Sequence, residues 1–175
     1  MQMASGAPFE LGAGFGSPIT IEDVAAGLCK VNRFCGATRV PYSVAQHSVH
    51  VSKLIRQHGG NWKTQLCGLL HDAHEAVIGD IPTPAKRLLV GAGAFEETVA
   101  HRVMNGLGVD TRSADHALIR MCDLIALSTE KRDLMAPEQQ SWGEFPRPDA
   151  RKVKPVGWRA ARGRFLARYG WLAGE

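Results

Sequence analysis

The segment LLHDAHEAVIGDIPTPAK, residues 69–86, decides the fold. It closes an apolar helical run, places the adjacent pair His71 and Asp72 where that run would continue, and then introduces Pro82 and Pro84. Proline has no amide hydrogen and clashes with the preceding helical turn, so we expect a loop at residues 79–84. The His-Asp pair needs an explanation, because burying an ionised carboxylate without a partner costs several kcal/mol.

Apolar residues recur at helical spacing on both sides of this segment. The periodicity predicts helices at about residues 21–31, 44–57, 62–77, 85–89, 95–107, 113–135 and 158–169, the first of them capped by Thr20. The Gly-rich opening through Gly16 predicts irregular backbone or a short hairpin. We find no long alternating pattern, no repeat and no domain linker. The sequence therefore predicts an all-α fold, a single helical bundle over residues 1–175, with a core at about 19–135 and a basic helical C-terminal extension at about 136–175.

The composition indicates one ordinary globular domain. The chain has 175 residues, of which 45% are hydrophobic and 22% charged, and this excludes disorder as the main state. Apolar runs are far too short to cross a bilayer, and the first residues lack a basic, apolar leader, so we expect a cytoplasmic protein without a membrane partner. The four cysteines are widely spaced, and we interpret them as reduced thiols.

The positive charge is concentrated near the C-terminus. From Arg147 to Arg168 the chain has eight Lys or Arg residues and one acidic residue, Asp149. A solvated helix face and a nucleic-acid contact both explain this bias. We favour the solvated face, and we do not expect a nucleic-acid partner.

Four residues that can bind a metal occupy positions at which the helical pattern predicts apolar residues: His47, His71, Asp72 and Asp123. Taken singly, each histidine could bond a carbonyl and each aspartate could pair with an arginine. Taken together, they are most simply explained by one shared divalent cation. Two imidazole nitrogens and two carboxylate oxygens suit a transition metal, and the donor types do not choose among Co, Mn, Zn, Fe and Ni.

The order of these residues resembles that of the HD-domain metal-dependent phosphohydrolases, which are named after the adjacent His-Asp pair. Within that superfamily, four segments look like the bacterial 5′-deoxynucleotidase branch and its phage relatives, which include deoxynucleoside triphosphate hydrolases: NRF (32–34), QHS (46–48), HDAHE (71–75) and GDIPTPAK (79–86). The resemblance covers about residues 19–135. It implies a helical HD domain, a divalent metal and a small-molecule nucleotide substrate.

Hydrolysis of a phosphate ester needs a nucleophilic water and positive charge near the phosphoryl oxygens, and a bound divalent metal provides for both. Glu75, one predicted helical turn after His71, could position or deprotonate water, and Asp80 could act as a second acid or base. In the nucleotidases that this chain resembles, these two positions flank the reacting phosphate. A surface glutamate and a turn-capping aspartate are the alternatives.

Substrate phosphate also needs a cation from the protein. We choose Arg33, which follows the first helix, because a guanidinium can grip phosphate with two parallel hydrogen bonds. Lys86 is a second candidate, and Phe34 could stack on a base or fill the core. The resembling branch often has Arg-Trp where this chain has Arg33 and Phe34. Glu130, on the same predicted helix as Asp123, is interpreted as a buttress or an ion-pair partner.

These observations lead to one preferred function and three alternatives. We expect removal of phosphate from (deoxy)nucleoside 5′-monophosphates, because few cations accompany the predicted metal site. The alternatives are a deoxynucleoside triphosphate triphosphohydrolase, a cyclic-nucleotide phosphodiesterase and a non-enzymatic nucleotide-binding module. We also expect a homo-oligomer.

Overall fold

The computed structural model describes residues 1–11 and 18–174, and this part of the chain is helical. No β-strand occurs in the described residues, where the extended pairings are isolated bridges, Gln2 with Pro8 and Asn32 with Ser43. The prediction of an all-α fold is confirmed. The helices are α1 (Ile21–Leu28), α2 (Val44–Gln57), α3 (Trp62–Leu70), α4 (Glu75–Ile78), α5 (Thr83–Lys86), α6 (Ala92–Gly106), α7 (His116–Leu134) and α8 (Trp158–Ala173), with a 3-10 segment at Arg33–Gly36.

Helix α2 is the centre of the bundle. It packs against α3, α7 and α8, and its apolar residues Val44, Val51, Leu54 and Ile55 are all buried. Burial on several faces explains why His47, in the second turn of α2, is fully enclosed. The predicted boundaries of this helix are confirmed.

Helix α1 begins where the sequence predicts. Thr20 caps it, because its side-chain oxygen accepts a hydrogen bond of 3.1 Å from the backbone N–H of Asp23. The helix ends earlier than expected, at Leu28, since the amides of Lys30 and Val31 both turn back to the carbonyl of Gly27. This early end leads the chain directly into the 3-10 segment that contains Arg33.

The prediction of one continuous helix at residues 62–77 is wrong. Helix α3 ends at Leu70, residues 71–74 form turns, and α4 starts at Glu75. The ring Nδ1 of His71 lies 2.9 Å from the carbonyl oxygen of Gly68, the oxygen that a continuing helix would pair with the amide of Asp72. The functional pair thus lies on an interrupted backbone.

Four other helices differ from their predicted bounds. Helix α7 spans His116–Leu134 instead of 113–135. Helix α5 spans Thr83–Lys86 instead of 85–89, because a proline is accepted in the first helical turn, where amides lack partners anyway. Helix α6 begins earlier, at Ala92, directly after Gly91 with φ +80°. Helix α8 continues to Ala173.

The C-terminal segment contributes to the main core. Ala161, Phe165 and Leu172 of α8 are buried in the same apolar cluster as residues of α1, α2 and α3. The chain between α7 and α8, residues 136–157, is not helical. A division of the single domain near residue 135 stays a prediction.

Outside the helices, the structure bears on three smaller predictions. All four cysteines are free thiols. The irregular or hairpin opening can be assessed only up to residue 11, because residues 12–17 lie outside the described part. Among the helices of the described residues, none has the length and apolar character needed to cross a bilayer.

Candidate metal centre

Three parts of the chain bring the four predicted ligands together. His47 comes from α2, His71 and Asp72 from the turn after α3, and Asp123 from α7. Nε2 of His47 lies 3.1 Å from Oδ1 of Asp123 and 3.5 Å from Oδ2 of Asp72. Nε2 of His71 lies 3.1 Å from Oδ2 of Asp72 and 3.8 Å from Oδ1 of Asp123. The four side chains therefore form one cluster.

The cluster fits a metal ion by two observations. One ligand atom each from His47, His71 and Asp72 lies within 4.8 Å of the others, and Asp123 adds an oxygen beside both rings. Nε2 of each histidine is also buried without a hydrogen-bond partner, although carboxylate oxygens are near. Converging nitrogen and oxygen donors with no partner of their own are what a divalent transition metal would satisfy.

The second ring nitrogen of each histidine fixes which nitrogen faces the cluster. Nδ1 of His71 can only donate to the carbonyl of Gly68, 2.9 Å away, and Nδ1 of His47 lies 2.7 Å from Oε1 of Glu130. With the proton on Nδ1, the lone pair of a neutral ring is on Nε2. Partners of this kind orient metal-binding histidines.

The charges of the cluster are strongly coupled. Burial lowers the pKa of His71, but the Asp72 carboxylate and contacts with Asp123 outweigh it and hold that pKa well above its ordinary value. Burial raises the pKa of Asp123, yet the contacts with His47 and His71 hold it well below the usual range. The acids are therefore carboxylates at neutral pH, the form that binds cations.

Arg33 and Glu130 form the buried border of the cluster. Nη1 of Arg33 lies 3.5 Å from Oδ2 of Asp72, and its Nε lies 3.3 Å from Oε2 of Glu130. Burial disfavours the charge of Arg33, but Glu130 and Asp72 raise its pKa above the ordinary value. The predicted buttress role of Glu130 thus takes a definite form, since one carboxylate contacts both His47 and Arg33.

Glu75 begins the short helix α4, and Asp80 lies two residues after that helix ends. Glu75 is buried, Oε2 of its carboxyl has no hydrogen-bond partner, and its backbone N–H donates to the carbonyl of Asp72. Burial, followed by the charges of Asp72 and Asp80, raises the pKa of Glu75 to about 9. Oδ2 of Asp80 accepts a bond of 3.3 Å from the backbone N–H of Phe34. Asp80 therefore connects the acidic side of the site to the Arg33 turn.

Phe34 stands in a strained turn beside an aromatic residue that sequence reasoning missed. Phe34 and Cys35 have φ values of 56° and 50°, in the left-handed region that residues with side chains seldom adopt. The Phe34 ring lies 6.1 Å from that of Trp142, which belongs to the non-helical segment after α7 and is 45% exposed. Trp142 is distant in sequence from every motif, so no spacing rule could have indicated it.

Lys86 is not brought into the His-Asp cluster. Its Nζ lies 2.8 Å from Oε1 of Glu96 on α6. Lys86 is nevertheless close enough to act on the buried side chain of His74. Burial lowers the pKa of His74, and the positive charges of Lys86 and His71 lower it further.

A family model described as "HD domain" matches residues 44–153, more than half of the chain. The chain belongs to the HD-domain family. The match includes His47, the His71 and Asp72 pair, and Asp123. HD domains are metal-dependent phosphohydrolases that bind divalent metals, and the protein is an enzyme of this class.

Two curated relatives cover most of this HD-domain chain. It is 34% identical over 158 residues to "Uncharacterized protein YfdR" of Escherichia coli, an alignment that covers 89% of this chain and 85% of the relative. It is 32% identical over 167 residues to "Uncharacterized protein RCAP_rcc00048" of Rhodobacter capsulatus, covering 86% of this chain and 84% of the relative. These similarities support the assignment to the family. The names of the two relatives give no substrate, so the substrate has to be inferred from the residues of the site.

Proposed function

We propose that this HD-domain phosphohydrolase removes phosphate from (deoxy)nucleoside 5′-monophosphates, as its 5′-deoxynucleotidase-like segments indicate. The observation that carries the proposal is the pairing of the His-Asp cluster with one buried guanidinium, that of Arg33, 3.5 Å from Asp72. A cation in this position suits the phosphate of a small ester. The ligand set His47, His71, Asp72 and Asp123 is part of the proposal.

Arg33 would orient the phosphate group. Its guanidinium is held by Glu130 and Asp72, so little side-chain freedom remains to be lost when an anion binds. When bound at the cluster, a divalent cation polarises the phosphorus–oxygen bond and makes water a stronger acid.

Glu75 and Asp80 would handle water and protons. Both carboxyl groups border the cluster on the α4 side, and Oε2 of Glu75 is a buried oxygen without a partner, free to bind water. The raised pKa of Glu75 would fall when a divalent cation is bound at the cluster, and its carboxylate would then be available as a base. On that basis we assign positioning and deprotonation of the attacking water to Glu75, and a second acid or base role to Asp80.

The nucleoside would lie against the aromatic pair. Phe34 follows Arg33 directly, and the half-exposed Trp142 extends the apolar surface outward from Phe34. Aromatic faces bind planar bases by stacking. A base at this surface would leave its 5′-phosphate near Arg33.

The balance of charge favours a monophosphate over a triphosphate. In the part of the chain that the structure describes, Arg33 is the Lys or Arg side chain in contact with the cluster, and Lys86 is neutralised by Glu96. A triphosphate would bring several further negative charges into a site that already has the acidic side chains of Asp72, Asp123 and Asp80.

The test is phosphate release from a panel of ribo- and deoxynucleoside mono-, di- and triphosphates and cyclic nucleotides, with Co, Mn, Zn, Fe and Ni in turn. We expect turnover of the 5′-monophosphates, and none from an Asp72→Asn preparation that serves as the control for contaminating phosphatases. Release of intact triphosphate would assign the triphosphohydrolase instead, and cleavage of cyclic nucleotides the phosphodiesterase. No turnover with any metal would favour a nucleotide-binding module.

A further inference from the structure

A second cavity lies apart from the metal centre, between α2, α8 and residues 149–154. Its volume is about 250 Å³, close to the lower end of small-ligand pockets, which begin at about 300 Å³. The walls come from three stretches that are distant in sequence. This cavity contains much of the basic C-terminal region that the metal centre does not use.

Five cationic side chains line this cavity: Lys53, Arg151, Lys152, Lys154 and Arg164. Among the described residues, the structure gives none of these five side chains an ion pair. The carboxylate in the wall, Asp149, offsets one of these five charges; it lies 3.6 Å from Nε2 of His50 and accepts a hydrogen bond from the backbone N–H of Arg151. The positive charge of the cavity is therefore not balanced from within.

The cations also repel one another. Burial lowers the pKa of Lys53, and the charges of Arg164, Arg168 and Arg151 lower it further. Gathering like charges opposes folding, and a bound anion would relieve that repulsion.

The wall formed by the non-helical segment is held in place before any ligand binds. The backbone N–H of Asp149 donates to Oγ1 of Thr129 at 2.9 Å, and that of Val153 donates to Oδ2 of Asp133 at 2.8 Å. The N–H of Val156 donates to Oε1 of Gln46 on α2 at 2.7 Å. Pre-ordered walls reduce the entropy lost when a ligand binds.

An adjoining cavity of about 380 Å³ shares Lys53 and Arg164 with the first and ends at Trp171. The Trp171 ring is 45% exposed and has two guanidinium groups beside it, with Arg56 5.4 Å and Arg168 4.7 Å from its centre. Sequence-tolerant binding of single-stranded nucleic acid depends on aromatic faces that are open to bases. Among the described residues, the walls of the two cavities together have many cations and only this one tryptophan, which favours phosphate groups over a row of stacked bases as the occupant.

We propose that this basic cavity binds the di- or triphosphate group of a small anionic ligand, at a site separate from the metal centre. Neighbouring phosphates provide several negative charges within a few ångströms, which matches five cations around one concave wall. The proposal does not depend on the reaction that the metal centre catalyses.

The test is calorimetric titration of the full-length, metal-loaded protein with inorganic tripolyphosphate and with orthophosphate, with metal content measured before and after. We expect tripolyphosphate to bind more tightly than orthophosphate. The Lys53→Gln/Arg164→Gln double variant should bind tripolyphosphate about 10-fold or more weakly, because charge-assisted contacts are lost. The matched control is Lys63→Gln/Arg120→Gln, which removes the same charge elsewhere and should bind normally.

The Arg33→Ala variant distinguishes binding at this cavity from binding at the metal centre. It should bind tripolyphosphate as the unmodified protein does. Loss of binding in Arg33→Ala with none in the Lys53/Arg164 variant would overturn the proposal, as would equal losses in the control. Tight binding of a single-stranded oligonucleotide without binding of tripolyphosphate would overturn it in favour of nucleic acid. If thermal melting shows that the double variant is unfolded, the exposed single substitution Lys152→Gln gives the same test, with a smaller expected loss.

Discussion

Nδ1 of His47 lies 2.7 Å from Oε1 of Glu130, and both side chains are fully buried. The same carboxylate reaches Nε of Arg33 with its other oxygen, at 3.3 Å. Glu130 therefore orients one proposed metal ligand and one proposed phosphate ligand, which makes it a positioning residue between the two.

We expect Glu130→Gln to weaken metal binding by about 10- to 100-fold, the usual effect of losing a partner that orients a metal-binding histidine. Metal titration of the folded variant measures this effect, with circular dichroism as the check on folding. The control is Glu97→Gln, since Glu97 is exposed on α6. Unchanged metal affinity in Glu130→Gln would reduce Glu130 to a structural counter-charge.

The four proposed ligands can be tested one at a time. Alanine variants of His47, His71, Asp72 and Asp123 should each lose the bound divalent ion, as measured by elemental analysis of the purified protein. His101→Ala is the control, because that histidine is exposed on α6. Full metal occupancy in Asp123→Ala would remove Asp123 from the set and leave the cluster of His47, His71 and Asp72.

Arg33→Ala should lower kcat/KM by about 30-fold, which corresponds to about 2 kcal/mol, since a charge-assisted contact with phosphate is lost. Metal content should stay close to normal, because Arg33 is not among the proposed ligands. Arg33→Lys keeps the charge without the planar fork and should recover only part of the activity. Normal kinetics in both variants would exclude phosphate binding by Arg33.

Glu75→Gln should lower kcat by about 100-fold or more, a typical loss for a general acid or base, with a smaller change in KM. The amide keeps the size and the hydrogen-bonding capacity of the carboxyl but cannot take up the proton. Asp80→Asn is the comparison. If Asp80→Asn is inactive while Glu75→Gln is normal, the two assignments are reversed, and if both are active, water needs no protein base.

Asp23 gives a prediction about stability. Its carboxylate accepts bonds from the N–H and the Oγ of Ser5, at 2.7 and 2.9 Å, and from Oγ1 of Thr20 at 2.9 Å. Burial raises the pKa of Asp23, but these bonds outweigh it and leave the pKa below its ordinary value. We expect Asp23→Asn to lower the free energy of unfolding by about 1–2 kcal/mol at neutral pH.

The pH dependence of that difference follows from the lowered pKa. Because the folded pKa is below the unfolded one of about 3.9, the stabilisation is complete above the unfolded value and is lost as pH falls through the folded value. Urea unfolding of both proteins at about pH 7 and at about pH 3 measures the change. A difference that is equally large at both pH values would contradict the carboxylate's role.

The sequence was sufficient to predict the structure where one local pattern determines it. Periodic apolar residues placed α2, and the Thr20 cap placed the start of α1. The His71 and Asp72 pair, with polar residues at core-facing positions of the apolar pattern on α2 and α7, was enough to predict the cluster, because unpaired charges inside a protein have few stable arrangements.

Other features depend on contacts between distant residues and could not be predicted. The break after Leu70 results from a bond between a side chain and the backbone, from His71 to Gly68, that helical periodicity does not record. Trp142 reaches Phe34 through a segment that has no regular structure. The basic C-terminal region looks like a solvated helix face in one dimension, and only its packing against α2 shows a cavity.

The left-handed backbone conformation of Phe34 and Cys35 affects both the stability of this short turn and the side chains that it can present. For residues with a side chain this conformation costs about 1–2 kcal/mol each, a cost that glycine would avoid. The substitution Phe34→Gly would relieve the backbone strain at this residue, but it would delete the ring that lies next to Arg33 and Trp142. If the Phe34 ring binds the base as proposed, relief of this strain by glycine would come at the expense of turnover, a conflict between stability and activity that is common at functional sites.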